Sequence, residues 1–290
     1  MRAVITGASG GIGAAIAERL AREGMSVVMV GRDQGRLSDA ARRIEATVPG
    51  ADLRPDVTDL SLMADVRRLA ERLGDEPPDV VISNAAVVAP IDDVTSEGLQ
   101  RLLATNHLAP YLLLRSLAEA LGDRPARFIV VGASPTALRR VPVDVDQLDS
   151  RERLAPIPSF RPFAAYGRTK NMNAMFVYAL ARRLAGRAIT VNGAHPGIIR
   201  DTGLGRDAHG LLRLSARILD RFCPGPEVGA DTPAWLATSR DVATTTGTFY
   251  VKRQAVPTAP HTTDESRCDR LWDESARLVD AALRTARPSR

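Results

Sequence analysis

Residues Thr6-Gly7-Ala8-Ser9-Gly10-Gly11-Ile12-Gly13 decide the fold of this 290-residue chain. They follow a short apolar run, Ala3-Val4-Ile5, and lead into Ile12, Ile16 and Leu20, which recur at helical spacing. Strand, glycine turn and helix in that order form the setting in which a dinucleotide's pyrophosphate is bound. Glycine permits a tight turn and a close approach of backbone to the anion. The helix N-terminus then offers N–H groups that have no partner within the helix. An ordinary glycine-rich βα turn uses the same residue types, so the loop needs support from the rest of the chain.

Outward from that loop, strand and helix patterns alternate. The strands predicted are Ala3–Ile5, Ser26–Val30, Asp52–Arg54, Val80–Ser83, Arg127–Val131, Ala188–Asn192 and Thr248–Val251. Clear helices are Ile12–Arg22, Asp59–Leu73, Glu97–Leu121 and Phe163–Leu184. This alternation predicts an α/β fold: one Rossmann-type, doubly wound parallel sheet of seven strands with helices on both faces. One domain is expected over residues 1–290. Two stretches break the rhythm. Residues 135–162 carry five prolines, namely Pro135, Pro142, Pro156, Pro158 and Pro162. A loop of that length leading into the Phe163–Leu184 helix is expected to wall a site. Residues 201–226 place Leu204, Leu211, Leu212, Leu214, Ile218, Leu219 and Phe222 at roughly helical spacing. A core helix and a lid over an apolar substrate both fit that pattern.

Net charge is +5, from 39 basic and 34 acidic residues, and the arginines are scattered rather than striped. That disfavours a nucleic-acid surface. Cys223 and Cys268 give neither a disulfide framework nor a metal spacing. His107, His195, His209 and His261 form no ligand pattern, and each is taken as a loop or helix-surface residue. No metal site is expected. No apolar run approaches the ~18 residues of a spanning helix, and the first strand, Ala3–Ile5, is expected to leave no room for a signal peptide. A cytoplasmic chain without membrane insertion is the expectation.

Tyr166 and Lys170 stand four residues apart in Phe163-Ala164-Ala165-Tyr166-Gly167-Arg168-Thr169-Lys170. On a helix they share one face, one turn apart. A nearby cation favours phenolate, so the pair could pass a proton to or from a substrate oxygen. The spacing also occurs on plain solvated helices.

Glycine loop and Tyr/Lys pair together resemble the short-chain dehydrogenase/reductase family, in its retinol dehydrogenase- and protochlorophyllide reductase-like branch. Thr6, Gly7, Gly11 and Gly13 match Thr-Gly-x3-Gly-x-Gly, and Tyr166 and Lys170 match Tyr-x3-Lys. Ser83-Asn84-Ala85-Ala86 is similar to the Asn-Asn-Ala-Gly motif, Asn106 to the helix asparagine, and Pro196-Gly197 to the motif after the sixth strand. The likeness runs from about residue 2 to about residue 285.

The resemblance implies an NADP(H)- or NAD(H)-dependent enzyme with Tyr166 as acid and base. Lys170 would hold the nicotinamide ribose, and Asn106 would fix a water linking Lys170 to solvent. A serine after the fifth strand completes the set. Counting from the strand puts Ala133 there; counting back from the acidic stretch Val143–Leu148 favours Ser134, which is taken, with Thr136 a poor substitute. Cofactor contacts are implied for Gly7, Ser9, Gly11, Ile12, Gly13, Asn84, Ala85, Pro196, Gly197, Ile199 and Thr202. The Asp56-Val57 pair is expected at the adenine amino group. The family's use of its substrate loop favours the lid reading of residues 201–226. The second strand ends Val30-Gly31-Arg32-Asp33. Arg32 suits a 2′-phosphate, whereas an acid there would select NAD. NADP(H) is therefore expected, with Asp33 facing solvent or capping the next helix. The substrate expected is a small-molecule carbonyl or alcohol, bulky and apolar. A C=C reductase of the same family and a non-catalytic NADP(H)-binding protein are the alternatives. A homodimer or homotetramer is expected through the helices Glu97–Leu121 and Phe163–Leu184, from apolar residues such as Leu113, Leu117, Met175 and Val177 spread over more than one face.

Overall fold

A computed structural model of the chain describes residues 1–133, 135, 143–150, 160–197, 199 and 224–286. Most of the expected wall and nearly all of the expected lid lie outside the described residues. Strands β1 (Arg2–Thr6), β2 (Ser26–Gly31) and β3 (Leu53–Val57) are joined through helices α1 (Gly11–Arg22) and α2 (Gln34–Thr47). Helix α3 (Met63–Asp75) leads to β4 (Val80–Ser83). The next helix begins as α4 (Arg101–Leu103), widens into a π-helical turn at Ala104–Leu108, and continues as α5 (Ala109–Leu121). Then follow β5 (Ala126–Val131), α6 (Arg161–Arg183), β6 (Ile189–His195), α7 (Pro226–Thr238), β7 (Thr248–Val251), β8 (Gln254–Ala255), α8 (Pro260–Thr263) and α9 (Glu265–Thr285).

The sheet order is β3-β2-β1-β4-β5-β6-β7-β8. Seven strands are parallel, and β8 adds an antiparallel eighth against β7. The count of seven expected from the sequence is thus one short. The β7–β8 turn consists of Lys252 and Arg253, both at positive φ (49° and 61°). Neither is the Gly or Asn that marks such a hairpin in sequence. Tertiary contacts hold it: Arg253 N–H donates to Thr232 Oγ1 at 3.2 Å and its guanidinium pairs with Asp231.

Helices cover both faces because the strands are apolar on both sides. Helices α3, α5, α6 and α9 bury one core, with Tyr111, Phe128 and Phe176 at its centre. Helices α1, α2 and α7 bury the other, around Ile5, Ile16 and Leu37. Leu113, Leu117, Met175 and Val177 are all no more than 1% exposed within the single chain. Their spread over helix faces reflects intrachain burial, so it gives no argument for self-association. Trp272 of α9 packs edge-on against Tyr111 at 4.9 Å between ring centres, and Arg183 stacks on it at 4.3 Å. Among the described residues no helix is long and apolar enough to cross a membrane.

Helix starts are fixed in two ways. Asp33 caps α2 by accepting from Arg36 N–H at 2.9 Å, the role its sequence position suggested. Helix α3 has no side-chain cap of its own. Glu97, placed by sequence in the following helix, instead sits in the tight turn before Arg101 and reaches back. Its carboxylate accepts from Met63 N–H at 2.5 Å and Ala64 N–H at 3.0 Å. Glu97→Ala should therefore cost about 1–2 kcal/mol of stability, read as a lower urea midpoint. Glu97→Gln keeps one acceptor and should lose less.

Candidate active site

The strand order reverses between β1 and β4, and a cleft opens beyond the carboxyl ends of these strands. It encloses a cavity of about 710 Å³. The glycine loop forms one wall. Gly7 and Gly11 have φ of 71° and 54°. A Cβ on Gly13 would stand 2.2 Å from the Gly7 carbonyl oxygen, so no side chain fits between loop and helix. The Gly7 and Ala8 N–H groups both donate to the Val30 carbonyl, at 2.9 and 3.1 Å. Helix α1 has no side-chain cap and no acid in its first turn. Gly10, Gly11, Ile12 and Gly13 face the cavity there, a fit for a pyrophosphate by charge and by space.

The next wall is tied to the first. Thr6 Oγ1 accepts from the Asn84 and Ala85 N–H groups, both at 3.0 Å, while Asn84 Nδ2 donates to the Thr6 carbonyl at 3.0 Å. Ser9, Asn84 and Ala85 line the cavity as their motifs implied. Arg32 lines it too, and so does Arg36, which the sequence reading passed over. The Arg36 guanidinium lies 3.6 Å from where a Cβ on Gly10 would stand. Arg36 lies in the first turn of α2, just after the Asp33 cap, and its place beside the end of β2 was the signal available in sequence.

Asp56 and Val57 do not reach the cavity. The Asp56 carboxylate is held by Arg72, at 2.8 and 3.0 Å, and accepts from Thr58 Oγ1 at 2.6 Å. Thr58, Asp59, Leu60 and Ser61 line that end in their place. Strand β3 runs to Val57, three residues beyond the expected end, and this carries the pair along the sheet edge.

Tyr166 and Lys170 lie on α6 and face the same cavity, with Pro196, Gly197 and Ile199 beside them. Lys170 is 3% exposed. Its ammonium donates to the Val131 carbonyl at 3.0 Å and lies 5.4 Å from the Tyr166 ring centre. Burial pushes the Lys170 pKa down to about 8. Burial also pushes the Tyr166 pKa up to about 12. From the sequence Lys170 was expected to lower the phenol; burial moves it the other way, because a phenolate in this cleft would lose its hydration. The phenol is thus protonated at neutral pH and suited to donate.

Ser134, Thr136 and Thr202 lie outside the described residues; Ala133 lines the cavity. Asn106 is 0% exposed, and its carboxamide makes three hydrogen bonds. Its Oδ1 accepts from Val87 N–H at 2.8 Å, and its Nδ2 donates to the Val87 carbonyl at 2.9 Å and to Thr169 Oγ1 at 3.2 Å. Through these bonds Asn106 clamps the Val87 backbone, and Val87 lines the cavity.

Two histidines differ from expectation. His107 is wholly buried. His195 lines the cavity, and its buried Nδ1 has no hydrogen-bond partner. Burial lowers the His195 pKa, a hydrogen bond with the Gly132 backbone opposes this, and the Lys170 charge adds to the lowering. Its place just before Pro196-Gly197, at a strand end, was the signal available in sequence. Among the described residues no group of three or more metal-ligating side chains occurs.

A family model described as short chain dehydrogenase matches residues 1–145. Retinol dehydrogenase 13 of Homo sapiens is 31% identical over 284 residues, covering 95% of this chain and 83% of that protein. The putative daunorubicin C-13 ketoreductase DnrU of Streptomyces sp. (strain C5) is 35% identical over 286 residues, covering 97% and 93%. Among solved structures, a short chain dehydrogenase from Burkholderia cenocepacia J2315 in complex with NADP aligns with a TM-score of 0.64 at 26% identity, covering 86% of this chain and 95% of that one.

The Lys170 shift has a pH signature. Its folded pKa of about 8 lies below the ordinary 10.5. Below about 8 both states carry the proton, and the native state bears the cost of a buried charge. Between those values the unfolded chain binds more protons, so this group makes stability rise with pH. In urea unfolding of the cofactor-free protein, the stability of the native chain relative to Lys170→Met should rise from about pH 7 to about pH 10, by on the order of 3 kcal/mol in full. A difference independent of pH would contradict the shift.

Proposed function

The chain belongs to the short chain dehydrogenase family, and on that premise we propose that it is an NADP(H)-dependent oxidoreductase that interconverts a carbonyl and an alcohol on a bulky, apolar substrate. One observation carries the reading: Tyr166 and Lys170 share a cavity with the uncapped glycine-loop helix. A proton donor and an anion site on one cleft are what hydride transfer to a carbonyl requires.

The glycine loop would hold NADP(H), which when bound would supply or take up the hydride. The loop N–H groups neutralise the pyrophosphate. Arg32, with Arg36 and Ser9 near it, suits the extra phosphate of NADP, since a guanidinium fork pairs with two phosphate oxygens. Likeness to a dehydrogenase solved in complex with NADP supports the same choice. Lys170 gives one hydrogen to the Val131 carbonyl and has two left for ribose hydroxyls. Asn84, Ala85, Pro196, Gly197, Ile199 and Thr202 complete the cofactor contacts.

The Tyr166 phenol passes its proton to the substrate oxygen in reduction and recovers it in oxidation. Its pKa of about 12 keeps that proton in place until negative charge develops on the oxygen. Ser134 is the hydroxyl assigned to hold that oxygen. Asn106 fixes the wall at Val87. Similarity to proteins named for retinol and for daunorubicin, both bulky, supports a large substrate.

Oxidation of NADPH against a panel of bulky ketones tests the activity. Tyr166→Phe keeps the ring and removes the proton. Turnover should fall at least about a hundredfold, the lower range for a positioned acid, while NADPH affinity barely changes. A variant with native turnover would rule out this proton transfer.

Cofactor choice is tested separately by calorimetry. NADPH should bind at least about tenfold more tightly than NADH, the worth of one charge-assisted phosphate contact. Arg32→Ala should remove most of that preference and leave NADH binding nearly unchanged. Equal affinities in the native protein would contradict the assignment.

A further inference from the structure

The π-helical turn at Ala104–Leu108 lies in the middle of the site's supporting helix. Such a turn takes carbonyls out of the regular i→i+4 ladder, and buried carbonyls need other donors. The Asn106 carbonyl finds one on α6, where Asn173 Nδ2 donates to it at 2.9 Å. This fixes the Asn173 amide, so its oxygen faces His107 Nδ1, at 3.3 Å. His107 Nε2 in turn meets Ser275 Oγ of α9 at 2.8 Å. Ser275 Oγ also lies 2.7 Å from the Leu271 carbonyl. All four side chains are at most 3% exposed, so water cannot replace a lost partner.

The hydrogen positions follow from the network. With the amide oxygen toward it, His107 carries its proton on Nδ1. Nε2 is then an acceptor, and the Ser275 hydroxyl donates to it in competition with Leu271. Desolvation holds His107 to a pKa of about 4, so the ring stays neutral and keeps one tautomer. A directed chain therefore runs from the Ser275 hydroxyl through His107 and Asn173 to the Asn106 carbonyl. Beyond Asn106, the carboxamide clamps both backbone groups of Val87 and touches Thr169, the neighbour of Lys170.

We propose that His107, Asn173 and Ser275 are positioning residues for the reaction, which through Asn106 hold the Val87 wall and the Lys170 end of the cavity in register, and so make helix α9 part of the active-site support. Sequence proximity does not provide this link: Ser275 is 168 residues from His107. The catalytic half of the statement rests on the function proposed above; the mechanical half does not.

The test uses the full chain with Ser275→Ala, and with Ser275→Thr, which keeps the hydroxyl. Hydrogen exchange on the cofactor-free protein reads the peptide around Val87, whose N–H is held by Asn106. Steady-state rates read kcat and its pH profile. In Ser275→Ala, exchange at Val87 should accelerate at least about tenfold over the native chain, with β5 amides unchanged. The kcat value should fall at least about threefold, with a shifted alkaline limb, and Ser275→Thr should restore both readouts. Unchanged exchange at Val87 overturns the proposal. So does acceleration spread equally over β5, which marks a merely structural loss, and so does faster exchange with native kcat and pH profile. Should Ser275→Ala not fold, His107→Gln carries the same readouts. A protein inactive on every ketone tried would count against the proposed function, while the exchange result would still decide the coupling.

Discussion

Gly13 rests against the carbonyl of Gly7 so closely that even a methyl group would collide with it. That contact lets α1 start directly above the end of β1 instead of standing off by a side chain. The first turn of α1 then points its N–H groups into the cleft. The same closeness brings Asn84 to Thr6, whose backbone and hydroxyl bonds pin β4 to β1 where the strand order reverses. Cleft, anion site and sheet topology thus share one steric condition. It is a condition glycine alone meets, since any Cβ at this point costs more than the strand pairing nearby can offset.

On the other side of the cleft, desolvation dominates. Tyr166 and Lys170 are close enough for a cation–ring contact, yet burial moves each away from its charged form. A neutral phenol beside a lysine with a pKa of about 8 holds the proton that the proposed transfer to a substrate oxygen would use. The depressed His195 belongs to the same environment, since Lys170 contributes to its shift. These groups form one electrostatic unit, and a charge brought into the cleft acts on all three.

Much of the architecture was legible in the sequence because the signals are local. Seven parallel strands follow from apolar runs bounded by turns, and the glycine loop follows from spacing. Asp33 as a helix cap follows from its place before α2. What was misplaced depended on distant partners. The eighth strand hangs on Arg253 and Asp231 rather than on turn residues. Glu97 caps a helix more than thirty residues earlier in the chain instead of joining the next one. Asp56 has the right neighbours in sequence, but Arg72 holds its carboxylate. The apolar faces of α5 and α6 looked available for a second chain, and α3 and α9 cover them within the single chain.

The sequence by itself determined which chemistry the chain could host. Glycines at Gly7, Gly11 and Gly13, a tyrosine and lysine one turn apart, and an arginine after the second strand are requirements of bond geometry and charge that hold wherever the chain folds. Tertiary structure decided how those groups behave. Whether a phenol is made more or less acidic depends on which of two opposing effects is larger, and burial is set by the whole fold. Which backbone Asn106 clamps, and whether His107 meets solvent or Ser275, depends on segments up to 168 residues away. Local pattern carries no record of such pairings, because they exist only when separate helices close on the same point.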